Sequence, residues 1–193
     1  MPRTEVFDRE VVLEKAKDVF WLKGYNGTSM QDLVDATGLN RSSIYNSFGS
    51  KMELYKGVLH HYQKESGELF CQASSKADGP LDNIRMIFLE LLSGILQDTE
   101  GKGCLAINCT TEMANRDANL EHWVARNREG VVEHFRELIE AGQKADEINK
   151  NKDSEELAQY LVTAFQGLRV TGTSMKDKKK LLTIIDNTLS VLH

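Results

Sequence analysis

Along most of the chain the apolar positions return every third or fourth residue, as in Leu13, Ala16 and Phe20, or Leu54, Val58 and Tyr62. That spacing is the period of an α-helix. The sequence has no sustained two-residue alternation of the kind that marks half-buried strands, and no repeat or low-complexity tract. Clusters of Gly, Asp, Asn and Lys separate the apolar runs at 74–80, 98–103, 146–153 and 172–177. Loops at these places cut the chain into about nine helices, and the expected fold is all-α.

The first 56 residues differ from the rest in having short elements with well-marked ends. Asp8 is placed to cap a helix running to Lys23, with Gly24 as its left-handed exit. Thr28-Ser29-Met30-Gln31 reads as a capping box that starts a helix of about two turns, which Gly38 ends. Asn40 is placed to cap a further short helix through Ser47. Ser50-Lys51-Met52-Glu53 reads as a second capping box, opening a long helix to about Ser74. Beyond Pro80 the helices lengthen, over 81–97, 104–115, 119–144, 154–171 and 178–192.

A two-turn helix is unstable alone, and the segment 41–47 offers only Ile44, with Phe48 just beyond it, to a core. A helix ended by glycine, one apolar residue, then a capped polar helix is the helix-turn-helix plan, here with Leu33, Leu39 and Ile44 joining the two helices. Arg41, Ser42, Ser43, Tyr45 and Asn46 then face outward. Arg pairs with guanine, Asn with adenine, and Ser with either in the major groove. Thr28, Tyr45 and Lys51 suit phosphate, near helix N-termini whose free amides favour anions.

Phe20-Trp21-Leu22-Lys23-Gly24-Tyr25-Asn26-Gly27-Thr28-Ser29-Met30, then Asp32 to Leu39, Ile44 to Lys51 and Glu53-Leu54, resemble the N-terminal domain of the TetR/AcrR family of transcriptional regulators. Val34 and Thr37 depart from it, standing where such sequences usually carry alanine. The resemblance covers about residues 9–56. It implies a helix-turn-helix DNA-binding domain over 1–56, with the helix 50–74 as connector, and a helical effector-binding and dimerisation domain over 57–193. The implied protein is a homodimer binding a palindromic operator, most simply a repressor released by a small-molecule effector, with activation left open.

Charge and composition sharpen this only in part. The net charge is −5, yet residues 1–56 balance eight Lys/Arg against eight Asp/Glu, so the acidic excess lies downstream. An overall basic footprint for nucleic acid is lacking. Three cysteines without CxxC spacing fit a reducing compartment. Residues 1–5 lead into a charged helix rather than a leader, and no apolar run approaches a membrane span, so a cytoplasmic, soluble protein is expected. His60, His61, His122 and His134 show no spacing that converges on one face, so no metal or other cofactor is expected. Nucleophile elbows, phosphate loops and HExxH are missing, and an enzyme is not expected.

In the C-terminal part the stretch from Gly103 to Ala114 is similar to a Gly-Cys-Leu helix of one TetR/AcrR subgroup, where it lies near the ligand cavity. Cys104, Asn108, Thr111 and Glu112 are its candidate effector contacts, with Phe88, Leu92, Trp123, Asn127 and Phe165 as further lining residues. Polar groups in an apolar helix need a partner, which neighbouring helices or water supply unless a ligand does. Leu157, Leu161, Phe165 and Leu168, with Leu181, Leu182, Ile185 and Leu189, form two stripes. They serve an intrachain core or, with the small residues Ala158, Ala164 and Gly167, a four-helix dimer interface built from the last two helices. Two alternatives stay open: a thiol-based redox or electrophile sensor using Cys71, Cys104 or Cys109, and a helical small-molecule-binding protein whose DNA module is non-functional. Cys104 and Cys109 lie about 140° apart round a helix, so a disulfide between them requires unwinding.

Overall fold

The computed structural model describes residues Phe7–His193; the opening residues read above for a leader lie outside it. Among the described residues there are nine α-helices and no strand. They are α1 (Arg9–Gly27), α2 (Met30–Thr37), α3 (Arg41–Phe48), α4 (Lys51–Ser74), α5 (Pro80–Gln97), α6 (Leu105–Met113), α7 (Ala118–Lys144), α8 (Ser154–Ser174) and α9 (Lys178–Leu189). Single 3-10 turns, Ala114–Arg116 and Ser190–Leu192, follow α6 and α9. None of these helices is long and apolar enough to cross a membrane.

The helices fall into two compact units. One comprises the chain up to Ser66 together with Leu105–Val124, and the other comprises Gly67–Cys104 and Ala125–His193. This differs from a boundary at residue 56. The first turns of α4 bury Leu54, Tyr55, Val58, Leu59 and Tyr62 in the N-terminal unit. Helix α6, far away in sequence, completes the same unit.

In the C-terminal unit, α5, α7, α8 and α9 enclose one apolar cluster. Phe88 and Phe165 meet edge to face at 5.4 Å between ring centroids, and Phe135 lies 6.0 and 6.1 Å from them. The stripes Leu157/Leu161/Phe165/Leu168 and Leu181/Ile185/Leu189 are buried in this cluster, with Leu182 packed partly buried against it. They are intrachain core. Helix α8 runs to Ser174, past the break expected at 172. Gly172 permits this: a Cβ there would lie 2.6 Å from the Ile95 side chain, so the residue marks a close approach of α5 and α8 rather than a loop. Helix α9 ends at Leu189, and its last expected residues form the 3-10 turn.

Candidate nucleic-acid interface

The reading module is set by its caps. The Asp8 carboxylate accepts from the amides of Glu10 and Val11 at the start of α1. Helix α2 begins one residue later than expected: the reciprocal box is Ser29 with Asp32, not Thr28 with Gln31. The shorter Asp32 reaches back to the Ser29 amide at 2.7 Å and also takes an ion pair from Lys23 at 2.6 Å. Gly38 closes α2 in the left-handed conformation, and the Asn40 side chain accepts from the Ser43 amide at the start of α3. The buried Thr37 hydroxyl donates to the Leu33 carbonyl and accepts from the Leu39 amide, so it braces the turn between α2 and α3.

Leu33 and Ile44 are fully buried between these helices, and Phe48 closes the end of α3. The Arg9 guanidinium donates to the Ser47 carbonyl and lies 4.3 Å over the Phe48 ring. With Ile44 and Phe48 inward, Arg41, Ser42, Tyr45 and Asn46 are exposed and Ser43 is half-buried. Tyr45 is 43% exposed, with its ring on the outer side of α3. At the start of α4 the Ser50 hydroxyl accepts from the Glu53 amide, and Lys51 sits with its ammonium 4.3 Å over the Tyr25 ring. Thr28 is a correction. Its side chain is 1% exposed and its hydroxyl donates to the Gly24 carbonyl at 2.6 Å, so it is buried away from any phosphate.

That carbonyl is available because α1 is broken at Gly24, whose backbone (φ 72°, ψ 171°) lies in a region only glycine adopts readily. The break frees two amides, and Glu112 of α6 takes both: its carboxylate accepts from Tyr25 at 2.9 Å and from Asn26 at 2.7 Å. Glu112 was expected to meet an effector; its partner is instead the reading module's own backbone. No local feature of the sequence signals this, because the two partners are 86 and 87 residues apart.

The other candidate effector contacts are divided between the two units, Asn108, Thr111 and Trp123 in the first and Phe88, Leu92, Cys104, Asn127 and Phe165 in the second. Phe88, Leu92 and Phe165 are 1%, 3% and 6% exposed and pack in the C-terminal core. Cys104 is buried, Asn108 and Asn127 are half-buried, and Thr111 is exposed with its hydroxyl donating back along α6 to the Ile107 carbonyl. Trp123 packs edge-on against His60 at 6.3 Å, with its indole N–H buried and without a hydrogen-bond partner. A recess of about 390 Å³ in the C-terminal unit is lined by Asp78, Leu81, Arg85, Glu147, Leu189 and His193 among others, and includes none of the nine.

The thiols are unlike one another. Cys71 is exposed, whereas Cys104 and Cys109 are buried. Burial pushes the Cys109 thiol up to about 11, opposed by its hydrogen bond with Tyr55. A thiol so held is a poor nucleophile at neutral pH. Titration of the native protein with a thiol-specific chromophore is expected to show one fast thiol per chain, with the other two appearing only on unfolding. Fast reaction of Cys109 would mean that burial does not shield it.

Two short helices joined by a glycine turn, the second with a polar face outward and capped N-termini beside it, define a helix-turn-helix DNA-binding module. Residues 12–58 match the bacterial regulatory proteins of the tetR family, and residues 80–186 match the tetracyclin repressor-like C-terminal domain. The chain belongs to the TetR family of DNA-binding transcriptional regulators. It is 28% identical to the HTH-type transcriptional repressor ComR of Escherichia coli K12, over 97% of this chain and 90% of that one. It is likewise 28% identical to the repressor DhaR of Mycobacterium sp. GP1, over 86% and 82%. Among solved structures, a cysteine mutant of the TetR family regulator CifR in complex with 26-base-pair double-strand operator DNA has a TM-score of 0.87. It is 26% identical, over 99% of this chain and all of that one.

Proposed function

We propose that the protein is a homodimeric repressor that reads a palindromic operator with α3 and is released by a small-molecule effector. The observation that carries this is the outward face of α3, where Arg41, Ser42, Tyr45 and Asn46 are exposed on a helix whose inner side is fully committed. Ser43, half-buried, completes the base-reading set, and Lys51 with the Ser50 cap holds the phosphate beside it. Relatives named as repressors and a neighbour seen on operator DNA support the same reading.

The dimer face would be the side of α8 and α9 that the core leaves uncovered. Tyr160, Val170 and Ile184 are exposed there, and nothing lies within 4 Å of a Cβ built on Gly167. These, rather than the buried stripes, would meet a second copy in a four-helix arrangement. Two reading helices would then lie about 34 Å apart, one DNA turn, as a palindrome requires. An effector acting from the C-terminal unit must prefer the DNA-incompetent form, by about 10⁴-fold to move the population from 1:99 to 99:1.

Selection from a random duplex library at fixed near-physiological salt tests the proposal. A palindrome with half-sites about one turn apart is the expected result; recovery of no motif would favour a helical binding protein. On the selected site, Arg41→Ala is expected to cost about 1–3 kcal/mol and relax one base position. Lys51→Ala should instead weaken all sequences and reduce the salt slope by about one unit. Both are read by gel shift against salt, and equal loss on every sequence from Arg41→Ala would move that residue from base to backbone.

A further inference from the structure

The strongest unexplained chemistry lies where α1 faces α4, within the N-terminal unit. Glu10 and Glu14 project from α1 one turn apart, and His61 and Glu65 project from α4 one turn apart. Both ring nitrogens of His61 face carboxylates. Nδ1 is 2.9 Å from Glu10 Oε2, while Nε2 is 3.0 Å from Glu14 Oε2 and 3.5 Å from Glu65 Oε1. A neutral imidazole has a single N–H. If Nδ1–H serves Glu10, the Nε2 lone pair converges with Glu14 Oε2 and Glu65 Oε1, a set of three donor atoms that one metal ion can bridge.

We propose that His61 Nε2, Glu14 and Glu65 form a binding site for a divalent first-row transition metal of the zinc class. The three ligand atoms lie within 4.8 Å of one another. The 3.0 and 3.5 Å separations bracket the roughly 3.3 Å edge of a tetrahedron with bonds of about 2.0 Å to nitrogen and oxygen. Glu10 supplies the outer carboxylate that metal-binding histidines usually carry on their second nitrogen, fixing the tautomer and ring plane. One imidazole with two carboxylates and no thiolate favours zinc or its neighbours over a soft monovalent ion.

Charge supports the same assignment. Lys17, 7% exposed, donates to Glu14 Oε2 at 2.7 Å and to Glu65 Oε2 at 2.6 Å. Three carboxylates, those of Glu10, Glu14 and Glu65, face the single ammonium of Lys17, and a divalent ion would offset the excess negative charge. Lys17 touches the Oε2 atom of Glu65, leaving Oε1 turned to the histidine. The ammonium competes for Glu14, so the affinity should be moderate. Histidine spacing alone hides the site, because the other ligands are carboxylates and one of them lies on a different helix.

Zinc titration of the full chain by calorimetry, with inert buffer and no DNA, tests this independently of any operator. One ion per chain at micromolar affinity is expected, with a higher melting temperature as bound ligand stabilises the folded state. His61→Ala and Glu65→Gln should remove saturable binding, and Glu10→Gln should weaken it about tenfold. Lys17→Met, without the competing ammonium, should tighten it, while His60→Ala and His122→Ala leave it unchanged. Cobalt loading should give the X-ray absorption signature of one imidazole among oxygen ligands. Undiminished binding in folded His61→Ala or Glu65→Gln, loss of binding in His122→Ala, or no saturable binding to wild type would overturn the assignment.

Discussion

Replacing Phe135 by alanine is expected to cost about 3–5 kcal/mol of stability, seen as a lower urea midpoint with an unchanged slope. Phe135 is fully buried at the middle of α7 and touches both Phe88 and Phe165. A cavity left between aromatic rings on three different helices cannot close by a single rotamer change. The lost transfer energy and the cavity therefore add. A loss under about 1 kcal/mol would mean that the cluster relaxes freely, contrary to the packing described.

The second large effect is expected at Gly24. In Gly24→Ala the side chain must occupy a φ of 72° with ψ 171°, which costs about 1–3 kcal/mol. Its Cβ would also lie 2.8 Å from a Glu112 carboxylate oxygen, forcing that carboxylate off the Tyr25 and Asn26 amides. Hydrogen bonds to a charged group contribute about 1.5–3 kcal/mol each, so a total loss of about 3 kcal/mol or more is expected. Operator affinity should fall with it, because the same turn carries the chain into α2. A double-mutant cycle with Glu112→Ala separates the two causes. The losses should be less than additive, since each substitution breaks the same bonds; strict additivity would show that Glu112 and Gly24 are energetically unconnected.

Local rules made much of the N-terminal module legible. Asp8, Gly38, Asn40 and Ser50 all mark element ends, because a cap acts over two to four residues and leaves its signature in that window. Thr28 failed for a reason of the same scale. Two hydroxyl residues stand side by side, and the choice between them was decided by the broken helix behind, which offered Thr28 a carbonyl and left the cap to Ser29. Gly172 looked like a loop residue because composition alone does not distinguish a turn glycine from one pressed against Ile95. The proposed effector contacts were the least legible part. Phe88, Leu92 and Phe165 have the periodicity of core residues and are core, and the partner of Glu112 is set by tertiary structure.

The closure of the N-terminal unit by α6 bears on how regulators of this kind can be recombined. A chimera that grafts residues 1–56 onto a foreign effector domain would carry the whole outward face of α3 proposed to read bases, yet would leave behind Glu112 and the helix that bears it. Tyr25 and Asn26 would then present bare amides where the host had none to match. A graft that respects the physical module must be discontinuous, taking Leu105–Val124 together with the chain up to Ser66.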